Sequence, residues 1–133
     1  MEAYETAGLG PEDIEVAEVH DAMAPGEMLR VVKLGFCEPE DAGRRVDDGH
    51  FKLSGKLPIN PSGGLAARGH PIGATGLSQI CEIVWQMRGE AGPRQVRGRK
   101  TTYPRVGLTQ NSGGYVEGSP AALTVTILTR DEG

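Results

Sequence analysis

The sequence predicts a single α/β domain in which helices pack on a small mixed sheet. Three observations support this fold class. Short runs of β-branched residues occur along the chain together with segments of helical periodicity. Turns rich in glycine and proline separate these segments. The length of 133 residues suits one hydrophobic core, so we assign residues 1–133 to one domain.

The first half of the chain contains a predicted helix, a strand, a second helix and a surface excursion. In chain order they cover residues 2–9, 14–19, 22–35 and 37–58. The strand prediction depends on a short apolar run rich in β-branched residues. The second helix has apolar residues at helical spacing and Gly35 at its C-terminus. The surface excursion is polar and rich in turn residues.

The second half of the chain contains the densest glycine region, a helix and two strands. In chain order they cover residues 60–76, 75–88, 106–109 and 121–128. In the helix, Leu77, Ile80, Cys81 and Val84 recur at helical spacing, which predicts one apolar face toward the core. A second glycine loop, residues 110–119, is predicted between the two strands.

Composition and charge exclude several classes of protein. No run of about 18 apolar residues is present, so no membrane span is predicted. No secretory signal follows Met1, and cytoplasm is the expected location. The net charge of −4 disfavours binding to a nucleic-acid backbone. Cys37 and Cys81 have no metal-binding spacing, so we predict two reduced thiols and no metal site. The basic segment 94–100 is interpreted as a solvated loop, with contact to a nucleotide phosphate as the alternative.

Glycines and two histidines occur together where predicted strands and helices meet. Ten of the 20 glycines lie in residues 55–76 and 107–118. His20 follows the first strand and His70 precedes a helix, which are the positions where α/β proteins place their sites. A helix N-terminus offers N–H groups that can hold an oxyanion. Taken alone, His70 is also explained as a cap or turn residue, and His20 as a surface residue.

The segment NPSGGLAARGHPIGATG, residues 60–76, resembles the Gly-His-Pro loop of the thiolase superfamily. The segment VAEVHDA before it, and a Gly-Gly loop with a final strand after it, extend the resemblance over about residues 2–130. The whole pattern is similar to the C-terminal domain of the sterol-carrier-protein type thiolases. The resemblance implies a thiolase-like C-terminal half whose first strand is missing. A missing strand predicts an exposed sheet edge or apolar face, which favours association.

The resemblance also implies roles for individual residues. His70 is expected to activate a nucleophilic cysteine and to help hold the thioester oxygen, and His20 to contribute to the oxyanion site. Tyr115 is a candidate for proton transfer, with a surface tyrosine as the alternative. Positions expected to contact the substrate or its pantetheine arm are Ser62, Gly63, Gly64, Gly69, Gly113 and Gly114. A coenzyme A thioester is the expected substrate, and no bound cofactor is expected.

The sequence departs from the thiolase pattern at its cysteines. The family's nucleophilic cysteine lies in the N-terminal half, which this chain does not match. The second cysteine, an acid and base, is absent from both of its family positions, which read Gln110-Asn111-Ser112-Gly113-Gly114 and His20-Asp21-Ala22-Met23. A thiol at such a position moves a proton to and from the carbanion of the Claisen step. Its absence puts ordinary thiolase turnover in doubt.

Three functions are compatible with the resemblance. The first is the C-terminal portion of an acyl-CoA enzyme that transfers acyl groups or forms and cleaves C–C bonds, and that is inactive by itself. The second is retro-aldol cleavage of a β-hydroxyacyl-CoA, of the steroid side-chain type, with a small OB-fold and zinc-ribbon partner. The third is a non-catalytic module that binds acyl-CoA or lipid. The expected partners are a thiolase N-terminal half, in the same or a separate chain, and further copies of the chain, as in the dimeric thiolases.

Overall fold

The computed structural model describes residues 2–117 and 119–131, and for residues 115, 116, 119 and 120 it describes the backbone only. Five α-helices and three β-strands make up this part of the chain. In chain order they are α1 (Glu2–Ala7), β1 (Val16–Val19), α2 (Ala24–Lys33), α3 (Ala42–Asp47), α4 (Gly64–Arg68), α5 (Thr75–Arg88), β2 (Val106–Val116) and β3 (Ser119–Thr129). Single 3-10 turns cover Pro11–Asp13, Pro39–Asp41 and Gly92–Arg94.

The three strands form one mixed sheet in the order β1-β2-β3. β1 runs parallel to β2, with Val16 opposite Gly107 and Val19 opposite Gln110. β2 and β3 pair as an antiparallel hairpin. On the other side of β1, Ile59 forms a parallel bridge to Ala17. The predicted α/β fold with a small mixed sheet is therefore confirmed.

β3 lies at one edge of the described sheet. Its neighbour on one side is β2, and in the described residues no strand pairs with its other side. The side chain of Leu123 on this strand is 60% exposed. The exposed sheet edge expected from a missing first strand stays a prediction, because every open sheet has two edges.

Two apolar clusters lie on opposite faces of the sheet. Successive side chains of a strand point to opposite faces. Ala17 and Val19 therefore join the larger cluster, which also contains residues of α1 and α2. Val16 points the other way and packs with Ile83 and Met87 of α5. Glu18 and His20 share the face of Val16, so polar groups occupy the α5 side.

The segment 37–58 differs from the predicted surface excursion. It contains the short helix α3, and Cys37, Ala42 and Leu57 are buried in the larger cluster. The polar residues between them remain exposed. The prediction of a wholly superficial segment is wrong because these few apolar side chains cover one face of the sheet.

The bounds of α5 agree with the prediction, but its buried face does not. Leu77 is 67% exposed and Cys81 is also exposed. The buried stripe is mostly polar and consists of Thr75, Gln79, Glu82, Ile83, Gln86 and Met87. Polar groups are buried at low cost when they have hydrogen-bond partners. The side-chain amide of Gln86, for example, donates to the carbonyl oxygen of Arg94 at 2.8 Å and accepts from the backbone N–H of Val96 at 2.7 Å.

The second predicted glycine loop is also corrected. Residues 110–116 continue strand β2, and the hairpin turn follows at Glu117, whose φ is 52°. Register pairs run from Val106 opposite Thr129 to Val116 opposite Ser119. Pairing with the long β3 strand supplies the backbone hydrogen bonds here, so the glycines do not interrupt the strand.

Candidate active site

His20 lies immediately after β1, where the parallel strand β2 presents polar side chains. Its backbone N–H donates to Gln110 Oε1 at 3.2 Å, and its side chain is 7% exposed. Its ring atom Nδ1 lies 2.8 Å from Asn111 Oδ1. Because β1 runs parallel to β2 with Val19 opposite Gln110, the carboxyl end of β1 lies beside the middle of β2. The register thus brings His20 and Asn111 together.

His70 lies between α4 and α5 and contacts the first turn of α5. Its Nδ1 atom lies 2.8 Å from Thr75 Oγ1. The Thr75 hydroxyl in turn donates to the carbonyl oxygen of Pro71 at 3.1 Å. The rings of His70 and His20 are 4.8 Å apart between centroids, at an interplanar angle of 85°. The fold therefore brings together the two histidines that the sequence singles out.

The hydrogen-bond partners of His20 and His70 determine which nitrogen of each neutral imidazole carries the proton. Asn111 Oδ1 is an acceptor, so His20 carries a proton on Nδ1. The Thr75 hydroxyl has one proton, which it gives to Pro71, so it accepts from Nδ1–H of His70. Each neutral ring then has a lone pair on Nε2. Both histidines are thus arranged to accept a proton at Nε2 and to become donors once they are protonated.

Glu18 lies on the same face of β1 as His20 and is completely buried. Ser62 donates to it twice, from N to Oε1 at 3.0 Å and from Oγ to Oε2 at 2.8 Å. Arg68 Nη2 lies 3.2 Å from Glu18 Oε2. Burial raises the pKa of Glu18 to about 7, although the hydrogen bonds from Ser62 and the charge of Arg68 act in the opposite direction.

The predicted substrate-binding serine and glycines of the Gly-His-Pro segment surround this network. The Ser62 hydroxyl donates to Glu18 and accepts from Gly64 N at 3.2 Å. Gly63 and Gly69 flank α4 with φ values of 88° and 79°. Both residues are exposed. Their part in binding the pantetheine arm stays a prediction.

Gly64 is required for a close approach within the chain itself. Its φ is 65°, and a Cβ at this position would lie 2.0 Å from Asp21 Oδ2. The carboxylate of Asp21 also accepts from the backbone N–H of Leu65 at 2.9 Å. The Asp of the His-Asp-Ala motif thus holds the N-terminal turn of α4 next to β1.

The predicted site residues of the last loop lie in β2. Gly113 pairs with Ala122 of β3, and Gly114 has a φ of 64°. The side chain of Tyr115 lies outside the described residues. Binding by Gly113 and Gly114 and proton transfer by Tyr115 therefore stay predictions.

Sequence reasoning missed three residues of this arrangement: Glu18, Thr75 and Asn111. One signal for Glu18 is present, since a charged residue interrupts the otherwise apolar run VAEV. Asn111 lies within the segment that replaces the family's cysteine loop, but its partner His20 is far away in the sequence. Nothing in the sequence distinguishes Thr75 from any other first-turn threonine.

The two cysteines are free. Cys37 is buried in the larger apolar cluster, and its burial raises the pKa of its thiol. Cys81 is exposed on α5. Within residues 2–117 and 119–131, no group of three or more His, Cys, Asp or Glu residues has the geometry to hold a metal ion. In the same residues, no helix has both the length and the hydropathy needed to span a bilayer.

Comparison with known protein families identifies the family to which this domain belongs. The family described as thiolase C-terminal domain-like matches residues 1–129. The chain belongs to the thiolase C-terminal domain family. The resemblance seen in the Gly-His-Pro segment is thereby confirmed.

Curated relatives of this thiolase C-terminal domain include enzymes and sterol carrier proteins. The acetyl-CoA acetyltransferase of Methanothermobacter thermautotrophicus is 48% identical over 123 residues, which are 92% of this chain and 30% of that protein. Sterol carrier protein 2 of Rattus norvegicus is 50% identical over 110 residues, or 83% of this chain and 19% of that protein. The benzoylsuccinyl-CoA thiolase subunit BbsB of Thauera aromatica is 40% identical over 111 residues, or 84% of this chain and 28% of that subunit.

A solved structure described as an Ltp2-ChsH2(DUF35) aldolase has the same domain fold. It superimposes with a TM-score of 0.72 and 26% sequence identity, covering 96% of this chain and 30% of that one. The thiolase C-terminal domain thus spans less than a third of the length of the relatives it matches.

Proposed function

We propose that this domain supplies two histidines to the thioester site of a thiolase-like acyl-CoA enzyme. One observation carries the proposal. His20 and His70 lie with ring centroids 4.8 Å apart, and their hydrogen-bond partners engage Nδ1 of each ring, so that Nε2 is the atom with the lone pair in the neutral imidazole. Two imidazoles next to each other at the carboxyl end of β1 suit proton transfer and the stabilisation of a thioester oxyanion.

In acyl transfer, His70 Nε2 takes the proton of a nucleophilic thiol in the N-terminal half. The thiolate attacks the thioester carbonyl carbon, the new S–C bond forms and the carbonyl oxygen becomes an oxyanion. Collapse of this intermediate breaks the bond to the coenzyme A sulfur, which receives the proton back from His70. His20 contributes a donor to the oxyanion when it is protonated.

Retro-aldol cleavage is a second candidate. In the described part of the chain, the imidazoles contact Asn111, Thr75 and each other but no thiol. The similarity to a structure described as an aldolase also favours this reaction. A histidine base would take the proton of a β-hydroxyl group, and a carbonyl would form as the Cα–Cβ bond breaks. The electron pair would pass to the thioester enolate, which is then protonated. The small OB-fold and zinc-ribbon partner belongs to this candidate.

The proposed site is completed by an N-terminal half. Apolar side chains near the histidines face outward: Met23 is 66% exposed, Ile72 82% and Leu77 67%. Large apolar side chains that share a helix face or loop typically mark an interface. The coverage of less than a third of each relative supports the same conclusion. We propose that the N-terminal half, in the same or a separate chain, covers these residues, and that the complete enzyme is a dimer.

The test is product analysis with the complete enzyme, including its N-terminal half. Mass spectrometry after incubation with acetyl-, acetoacetyl- and β-hydroxyacyl-CoA identifies the reaction. Loss of turnover in His70→Ala, with retention in the exposed-surface control Lys33→Ala, supports a catalytic domain. Unchanged turnover in His70→Ala would refute it. Binding of an acyl-CoA without turnover of any substrate would favour the third candidate, a non-catalytic binding module.

A further inference from the structure

A basic cavity lies at the end of β1 remote from the histidines. Its walls include Pro11 and Glu12, which precede β1, whereas His20 follows that strand. Its volume is about 700 Å³. A second cavity of similar volume shares three of its polar walls, namely Arg45, His50 and Lys56. The two cavities therefore adjoin each other, and together we call them the basic basin.

Cationic side chains dominate the lining of the first cavity. They are Arg45, Lys56, Arg97 and Arg99, and Glu12 is its one carboxylate. This excess of positive charge occurs in a chain whose net charge is −4. Arg45 and Lys56 come from the segment 37–58, and Arg97 and Arg99 from the basic segment 94–100, so the fold creates the basin by bringing two separate segments together.

The charges of these side chains are not neutralised within the described chain. Arg45 donates to the carbonyl oxygen of Phe36, and Arg99 to the carbonyl oxygens of Glu12 and Ile14. Carbonyl groups orient a guanidinium but leave its net charge in place. Among the described residues, neither Lys56 nor Arg97 forms an ion pair. By contrast, Arg44 on the rim pairs with Asp41 at 2.7 Å and Asp48 at 3.5 Å.

His50 reports the resulting electrostatic potential. Burial together with the charges of Arg45 and Lys56 lowers the pKa of His50, and Arg44 and Arg99 act in the same direction. Like charges so close together are unfavourable until an anion occupies the space between them. The His50 ring is therefore a natural probe of such an anion.

We propose that the basic basin binds a small phosphate-bearing molecule, with its phosphate between Arg45, Lys56 and Arg97. Guanidinium groups match phosphate oxygens in pairs, and a lysine adds a mobile point charge. Phe36 and Leu57 also line one wall and, being 6% and 5% exposed, offer a small apolar surface to the remainder of the ligand. The volume lies within the range of small-molecule sites.

A long polyanion fits this surface less well than a small ligand. Asp47 and Asp48 lie on the rim of the second cavity, in the path that an extended nucleic acid or acidic peptide would take. The phosphate groups can belong to a nucleotide or to a free polyphosphate. The two sources share the contacts to the cations but differ in the part that meets Phe36 and Leu57.

Calorimetric titration of the full chain with pyrophosphate and with ADP tests this inference. We expect both to bind, ADP more tightly if the ligand is a nucleotide, and both equally if only the phosphates are recognised. Lys56→Met and Arg97→Met should each weaken binding about tenfold, the value of one charge-assisted hydrogen bond. Both side chains are exposed, so the variants retain the fold, which circular dichroism verifies. Lys33→Met, an exposed lysine outside the basin, is the matched control.

NMR titration of the imidazole gives a second readout. Pyrophosphate should raise the pKa of His50 in the wild type, and Lys56→Met should need about tenfold more pyrophosphate for the same rise. The inference is overturned if neither probe binds at millimolar concentration, or if both variants bind like the wild type. Binding of an acidic peptide without binding of either phosphate probe would also overturn it. His70→Ala should leave pyrophosphate binding unchanged, so the outcome is independent of the proposed acyl-CoA chemistry.

Discussion

The Nδ1 atom of His70 lies 2.8 Å from the hydroxyl of Thr75. Because that hydroxyl donates its proton to Pro71, it can only accept from His70, and this directs the imidazole lone pair to Nε2. Thr75, which is 1% exposed, thereby determines which nitrogen of the His70 ring can accept a proton in the proposed site. Thr75 is thus a positioning residue, since it acts through His70.

Replacing Thr75 by valine removes this hydrogen bond and conserves volume. We expect kcat of the complete enzyme to fall about tenfold, the value of one hydrogen bond to a group that becomes charged. Ring 15N chemical shifts should show His70 as a mixture of the two neutral tautomers. Thr75→Ser should restore both kcat and the single tautomer. The exposed Thr102→Val is the control, and a wild-type tautomer in Thr75→Val would contradict the assignment.

Asn111 has the corresponding role for His20, whose Nδ1 lies 2.8 Å from Asn111 Oδ1. Asn111→Leu removes the acceptor and leaves a ring that is 7% exposed without its partner. We expect a loss of the Nδ1–H tautomer in 15N spectra and a loss of stability of about 1–3 kcal/mol. Urea denaturation measures the second effect. Retention of the His20 tautomer in this variant would show that another acceptor holds the ring.

Glu18 makes stability depend on pH. The pKa of Glu18 rises from 4.5 to about 7 because of burial, so the folded chain holds this proton more tightly than the unfolded chain. Glu18 therefore makes the free energy of unfolding decrease as the pH rises from about 4.5 through about 7, by about 3 kcal/mol in total. Below that window its contribution is constant. Urea denaturation between pH 4 and pH 8 measures this slope.

Glu18→Gln should remove the slope and retain most of the volume at this position. The exposed Glu40→Gln is the matched control and should retain the slope. A wild-type slope in Glu18→Gln would assign the pH dependence to another group.

Gly64→Ala tests the close approach of α4 to Asp21. The added Cβ would meet Asp21 Oδ2 at 2.0 Å, and the φ of 65° is unfavourable for alanine. We expect a loss of about 2 kcal/mol or more in the free energy of unfolding. Gly43→Ala in α3, with no atom within 4 Å of the added Cβ, is the control and should be neutral or slightly stabilising. Equal effects of both substitutions in urea denaturation would contradict this explanation of Gly64.

Leu77→Lys tests the proposed interface with the N-terminal half. Because Leu77 is 67% exposed in this domain, its replacement should leave the midpoint of thermal unfolding of the domain nearly unchanged. Association with the N-terminal half should weaken strongly, as measured by sedimentation. An exposed charge placed elsewhere, Thr102→Lys, is the control. Normal association of Leu77→Lys would remove this face of α5 from the interface.

Local sequence patterns were sufficient for several of the elements and for the two histidines, but not for the continuation of β2 through residues 110–116 or for the helix α3. The bounds of α5, the strand before His20 and the mixed α/β class follow from periodicity and turn residues, because these depend on the backbone of neighbouring positions. His20 and His70 could be selected because each follows or precedes an element of that kind. The Gly-His-Pro segment was sufficient for the family, since its length makes it specific.

The tertiary structure decided which side chains are buried and what they touch. Leu77 and Cys81 face outward, whereas Gln79, Glu82 and Gln86 are buried, because their partners come from other segments. Arg94 lies 2.9 Å from Glu82, and the backbone N–H of Val96 donates to Gln86 at 2.7 Å. The physical reason is general. Periodicity reports the hydrophobicity of a face, but a polar face can be buried when distant residues satisfy its hydrogen bonds. That satisfaction exists only after the chain has folded.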